Sequence, residues 1–314
     1  MSERLARFIS SYGSVRRWLE RVEAEGSGAY NTKVSYVYWL EKFCEYAGLN
    51  PDQIVEARRE DLDKPVQFEA ERRRFEDKLL SFFNRLQREG YKRGSAVYAF
   101  SAICSFFNAN YLPLKVNFPA SWVETTFKVP SREELKAMVE NAPSLQAKAW
   151  ILCQAQSGIS GGDLLNLPLD QVKPQLDQGK HPIYIKLLRK KTKGKGPTGG
   201  WYETFFGRNA ADALREWLPN KRKNNGRIWD WTTVRHVERV VSEAARKAGL
   251  DGKITPHSLR KFFNTYAKIA GLNEAIVEYM MGHSLGTVRT AYFIPPKHEL
   301  EKLYLKAEPY LSIY

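Results

Sequence analysis

Residues 255–293 read TPHSLRKFFNTYAKIAGLNEAIVEYMMGHSLGTVRTAYF, and the order of polar groups in this stretch decides how the rest of the chain is read. Thr255 suits a helix N-cap, and Pro256 suits the first helical position, where a missing N–H costs nothing. His257 and Arg260 stand three apart and share one face of the opening turn. An imidazole, a guanidinium and the positive end of a helix dipole in one place make a phosphate site. The helix is expected to end at Gly271. A shorter one runs from Asn273 to Met281 and closes at Gly282, directly before His283, and Tyr292 stands nine residues further on. By residue type alone His257 and Arg260 are a common pair, and Tyr292 fits a core, a surface or a nucleophile.

The charge around this stretch narrows the class of partner. The 314 residues hold 49 Lys and Arg against 35 Asp and Glu, a net charge of +14. Before Val129 there are 20 basic and 17 acidic residues; from Val129 onward there are 29 and 18. The excess therefore sits in the second half, as expected for a surface that meets a polyanion. Residues 186–195, KLLRKKTKGK, contain six basic side chains in ten. They run from the end of one β-prone stretch, 183–187, toward a second, 201–206, and so form the tip of a hairpin. Two readings stand: a solvated loop, or a loop entering a DNA groove with Arg189, Lys190, Lys193 and Lys195 on phosphates.

The remaining pattern is helical. In residues 1–110, Asn31 can cap a segment carrying Val34, Val37, Tyr38, Leu40 and Phe43. Residues 68–86 repeat the spacing with Phe75, Leu79, Leu80, Phe83 and Leu86, and 95–109 form a third apolar stretch. This predicts a small helical bundle. Its arginines, Arg72 to Arg74, Arg85 and Arg88, alternate with acids and fit a solvated face as well as a DNA-facing one. Residues 111–130 carry three prolines and no period, which predicts a linker. A second domain, 131–293, opens with a helix-start signature at Ser131 and Glu134, and 294–314 form a tail. The expected class is mainly α with one small β-sheet.

Other classes are excluded by composition. Apolar residues make up 43%, enough for real cores, so wholesale disorder is ruled out. No run approaches the roughly 20 apolar residues of a membrane helix, and the N-terminus lacks an apolar signal-peptide core. Cys44, Cys104 and Cys153 lie far apart with no CxxC pair, which leaves buried thiols and excludes a disulfide framework or a paired-cysteine zinc module. The expectation is a soluble cytoplasmic protein, associated with the nucleoid or, if viral or plasmid-borne, with its host's cytoplasm.

The order His257-x-x-Arg260, Gly282-His283 and Tyr292 closely resembles the C-terminal signature of the tyrosine recombinases, the phage-integrase family. The segments SGISGGD and RKKTKG look like archaeal or viral members. The resemblance covers residues 131–295 by motif order, and the first domain resembles the family's core-binding domain in size and helix content alone. It implies a site-specific recombinase that needs no cofactor or metal. Tyr292 would attack the scissile phosphate of double-stranded DNA to give a 3′-phosphotyrosyl link and a free 5′-hydroxyl. Arg260 would clamp nonbridging oxygens, His257 and His283 would add hydrogen bonds or proton transfer, and a hairpin lysine would protonate the leaving oxygen. Lys191 is the choice for that lysine, with Lys193 second. The resemblance also implies a homo-tetramer on paired DNA sites, a monomer or dimer off DNA, and a tail that either packs on its own domain or docks on a neighbouring protomer.

One position departs from the pattern. Members carry a run similar to TGLRISELLNL, whereas residues 157–167 read SGISGGDLLNL. Asp163 falls where the family has an acid, and Ser160 falls on the first catalytic arginine. No arginine lies between Arg132 and Arg189, and a neutral hydroxyl cannot do a bidentate cation's work. Ser160 thus reads as an engineered change, as a naturally weakened site or, less favoured, as a gap filled by an arginine distant in sequence. On the first two readings the chain binds DNA but cleaves more slowly than a Ser160→Arg version, by roughly a hundredfold or beyond. The alternative function is a recombinase-derived DNA-binding protein without cleavage. A relaxing topoisomerase would use the same phosphotyrosine.

Overall fold

In the computed structural model, residues 3–25, 30–120, 128–189, 199–251, 253–283 and 295–314 are described. The chain divides into two units, residues 1–126 and 127–314. Among the described residues no helix is long and apolar enough to cross a membrane.

The first unit is helical: α1 (Glu3–Ser11), α2 (Gly13–Ala24), α3 (Tyr30–Ala47), α4 (Pro51–Asp63), α5 (Glu69–Arg72), α6 (Arg74–Arg88) and α7 (Arg93–Ala109). Asn50 starts α4 with a reciprocal cap, its side chain taking the Gln53 N–H while the Gln53 side chain takes the Asn50 N–H, both at 2.9 Å. The single helix expected over 68–86 is broken at Arg73, and Asn31 lies inside α3 rather than capping it. On α6, Phe75, Leu79, Phe82, Phe83 and Leu86 face a core that also holds Trp18, Phe43, Phe100 and Phe107. Alanines 96, 99 and 102 on α7 are buried, small side chains that let neighbouring helices approach closely. Arg58 on α4 grips Glu76 on α6 with two bonds, 2.8 and 2.5 Å. Arg74 pairs with buried Asp61 at 2.8 Å, and Arg72 donates to Leu62 O at 2.5 Å. Two of the clustered arginines therefore serve the unit's own fold. Leu112, Leu114 and Val116, from the stretch read as linker, pack on this core as well.

In the second unit, the signature at Ser131 forms as a capping box, with Ser131 N–H on Glu134 Oε2 at 2.9 Å. It opens α8 (Arg132–Glu140), followed by α9 (Leu145–Ser157), α10 (Gly161–Leu165) and α11 (Lys173–Asp177). The sheet is one antiparallel pair, β1 (Ile183–Leu188) and β2 (Trp201–Phe206), in register from Ile183 opposite Phe206 to Leu188 opposite Trp201. After it come α12 (Arg208–Trp217), α13 (Val234–Lys247), α14 (Pro256–Ile269), α15 (Glu274–Met280) and α16 (Lys297–Leu311). Every residue of α9 from Gln146 to Ser157 is buried except Lys148, because α8, α12, α13, α14, α16 and β2 all pack against it. A helix without a polar face is a central core helix.

The tail is part of that core. Leu300, Tyr304, Ala307 and Leu311 on α16 are all buried in the second unit, and Tyr304 Oη donates to Gln156 O at 2.9 Å. Beyond the helix, Ile313 N–H and Ser312 Oγ both reach Asn209 Oδ1, at 3.0 and 2.8 Å. The three cysteines are buried and unpaired, and burial pushes the Cys44 and Cys104 thiols up to about 12.

Candidate active site

The residues singled out in 255–283 converge in space. Thr255 precedes α14 in extended backbone, Pro256 enters its first turn, and Thr255 N–H donates to Ser258 Oγ at 3.3 Å. One turn along, Arg260 is 5% exposed. Its Nη1 donates to Gly158 O, and its Nη2 donates to Met281 O at 2.7 Å and meets His283 Nε2 at 2.5 Å. A single guanidinium thus joins the end of α9, the end of α15 and the histidine that follows. Burial, then the like charge of Arg189, lowers its pKa to about 10, opposed by Asp163 and Glu278. At neutral pH it remains a cation.

Two glycines permit this junction. Gly158 ends α9 at φ +65°, and a Cβ there would lie 2.4 Å from Phe263 Cδ1. Gly282 has φ +68°, and its Cβ would lie 2.7 Å from Tyr202 Cδ1. Both combine a left-handed backbone with a close neighbour, which only glycine accommodates.

His283 lies between Arg260 and Glu278. A guanidinium can only donate, so Nε2 accepts from Arg260, and Nδ1–H donates to the Glu278 carboxylate. The neutral imidazole is the form that fits. Burial first and Arg260 second hold its pKa below the ordinary histidine value, against the pull of Glu278. His257 is exposed on the opening turn and is also lowered, by partial desolvation and then by Lys261, Arg260 and His283. A fold that prefers neutral imidazoles holds that stabilisation above the unfolded value of about 6.5 and loses it as pH falls through the lower folded values. The melting temperature is therefore expected to fall between pH 7 and pH 5, and by less in His283→Gln. A fall of the same size in both proteins would count against this account.

Ser160 is committed to local structure. It is the N-cap of α10, its Oγ donating to Asp163 Oδ2 at 2.7 Å and accepting from Asp163 N–H at 3.3 Å. The same carboxylate oxygen accepts the Tyr202 hydroxyl at 3.2 Å. Arg189, placed by its sequence in a DNA-binding loop, extends the sheet, its N–H on Gly200 O at 2.9 Å. Its side chain turns inward and donates to Gly282 O. Lys190, Lys191, Lys193, Lys195 and Tyr292 lie outside the described residues.

Three contributors were not singled out from sequence as site residues. Asp163 had a motif position but no role. Glu278 sits five before His283, a spacing that brings them together only across the Gly282 turn. Tyr202 looks like any strand aromatic. Beside His257, a cleft of about 510 Å³ is lined by Arg235, Arg239 and Lys253, with Glu238 its one acid, so cationic side chains dominate it. Among the described residues, no three His, Cys, Asp or Glu side chains are grouped to hold a metal.

Comparison with known proteins gives three kinds of likeness. A model of the phage integrase family matches residues 131–294. The chain is 27% identical over 201 residues to tyrosine recombinase XerC of Leptospira interrogans, and that match spans 60% of each protein, so less than two thirds of the relative's length is represented. It is 25% identical over 290 residues to tyrosine recombinase XerA of Pyrococcus furiosus, 88% of each. Among solved structures, a lambda integrase tetramer bound to a Holliday junction matches with a TM-score of 0.57 at 16% identity, over 86% of this chain and 74% of that one. This last likeness is one of fold.

Proposed function

Because this chain belongs to the phage integrase family, whose model spans just over half of it, we propose that it is a site-specific DNA recombinase, cutting and rejoining duplex DNA through a 3′-phosphotyrosyl intermediate on Tyr292. The observation that carries the reading is the cluster of Arg260, His283 and Glu278, with His257 on the opening turn of the same helix.

The chemistry demands such a cluster. In the first step the Tyr292 oxygen, giving up its proton to a neutral imidazole of His257 or His283, bonds to the scissile phosphorus as the 5′ oxygen departs, taking a proton from a hairpin lysine, Lys191 ahead of Lys193. In the second, the 5′-hydroxyl of a partner strand attacks the phosphotyrosine and frees the phenol. A phenol is a weak nucleophile at neutral pH, and both transition states gather negative charge on nonbridging oxygens. Arg260 stays charged at that pH and is held by two carbonyls and an imidazole, so its orientation is set before substrate arrives. Neutral His283 and His257 are suited to donate or accept a proton without adding to the charge. The basic cleft beside His257 fits the phosphates of bound duplex, as do Lys190, Lys193 and Lys195 of the hairpin. Assembly as a tetramer on paired sites, from monomers or dimers, follows the lambda integrase example, and such work belongs at the nucleoid.

The test is covalent trapping. A duplex recovered from a random-sequence pool by binding to Tyr292→Phe supplies the site, which is then nicked near the point of cleavage. The parent chain should give a denaturant-resistant protein–DNA band, and Tyr292→Phe should give none while still shifting the duplex in a native gel. Shifts without a band from either chain would instead establish the non-cleaving DNA-binding protein.

A further inference from the structure

The departure at Ser160 leaves the recombinase reading one cation short, and the geometry around Gly282 offers that cation from elsewhere. Arg189 follows β1, is half-buried, and donates Nη1 to Gly282 O. Arg260 donates Nη2 to Met281 O, the preceding carbonyl, at 2.7 Å. Two guanidiniums from different elements thus hold consecutive carbonyls of the turn that presents His283. Two cations this close at a partly buried site draw anions to them: the Asp163 and Glu278 carboxylates already stand beside Arg260, and a phosphate on the open side would be a further one. Arg189 is one of the cations that hold Arg260 and His283 below their ordinary values, after burial and against the pull of Glu278 on both and of Asp163 on Arg260.

The position is also next to the gap. Tyr202 packs its ring on Gly282 and sends its hydroxyl to Asp163, the carboxylate that Ser160 also bonds. Asp163, Tyr202 and Gly282 thus form a continuous path from Ser160 to the carbonyl that Arg189 holds. The side chain at 160 caps α10, a task for which serine is well suited.

Resting on the recombinase reading above, we propose that Arg189, reaching in from the end of β1, supplies the second guanidinium on the scissile phosphate, paired with Arg260 in place of an arginine at position 160. The arginine distant in sequence, the least favoured explanation of Ser160 from the sequence, is then the one the fold supports. Arg189 carries a catalytic role rather than a groove contact, and the chain as written is a competent enzyme.

The experiment uses the full chain, the selected nicked duplex, and the same duplex with a methylphosphonate at the scissile position. A methyl in place of one nonbridging oxygen removes the negative charge that a second guanidinium would neutralise. On the phosphate duplex, Arg189→Ala and Arg189→Lys should form the covalent complex on the order of 100-fold more slowly than the parent, with native-gel affinity changed by less than about tenfold. On the methylphosphonate duplex that deficit should shrink to less than about tenfold. Ser160→Arg should give no gain over the parent. Unimpaired cleavage by Arg189→Ala would overturn the proposal, as would a hundredfold gain from Ser160→Arg. So would a deficit of equal size on both duplexes, the mark of a residue that only positions the Gly282 turn or of a variant that fails to fold. A parent chain that never forms the band, in company with every variant, overturns the recombinase reading itself and the role of Arg189 with it.

Discussion

Replacing Arg260 with lysine is expected to slow formation of the covalent complex by about 10³-fold, the largest loss foreseen among the described residues. Removing one preorganised donor from a charge-stabilising site typically costs 10²–10³-fold, and this side chain does more than one job. Its guanidinium holds Gly158 O, Met281 O and His283 Nε2 together. A lysine ammonium can reach one or two of these but has no planar fork to span all three. His283 would then lose the donor that selects its neutral tautomer, so the two groups should fail together. A single-turnover trapping assay on the selected duplex measures this. Arg260→Lys within tenfold of the parent would remove Arg260 from the centre of the mechanism. Arg260→Ala should also lower stability by about 3 kcal/mol or more, because three buried or half-buried acceptors lose their donor.

The second large effect is on folding. Tyr304→Ala is expected to destabilise the second unit by about 3–5 kcal/mol, the range for deleting a fully buried aromatic side chain. The ring is 0% exposed and stacks obliquely on Phe205 with centroids 5.2 Å apart. Its hydroxyl fills an acceptor on the last turn of α9. Burial holds that phenol in its neutral form. Because α16 packs within its own chain, the loss should be the same at low and high protein concentration. A urea titration at two concentrations tests this. A midpoint that rises with concentration in the parent and not in Tyr304→Ala would place the ring in a contact between protomers instead.

How much could be read in advance depended on the range of the interaction. Helix starts at Ser131 and at Thr255 with Pro256 were legible because a cap depends on residues within one turn. The hairpin was legible because two short β-prone runs flank a turn-forming segment. The order His257, Arg260, His283 and Tyr292 carried the family, since these groups lie within one continuous stretch. The break at Arg73 went unseen because the apolar spacing of 68–86 continues across it.

Sequence by itself therefore determined the fold class, the sign and location of the charge, and the family to which the motif order points. Tertiary structure alone decided three things. It placed Arg189 beside Arg260, across a separation no motif spans. It set the state of His283, because an imidazole's proton follows whichever donor and acceptor the fold brings to its two nitrogens, here Arg260 and Glu278. It also assigned the tail: an apolar stripe such as Leu300, Tyr304 and Leu311 announces that it will be covered, but what covers it is settled only by the shape of the surface left open by α9, α14 and β2. Burial is a property of two surfaces, and a sequence pattern describes one.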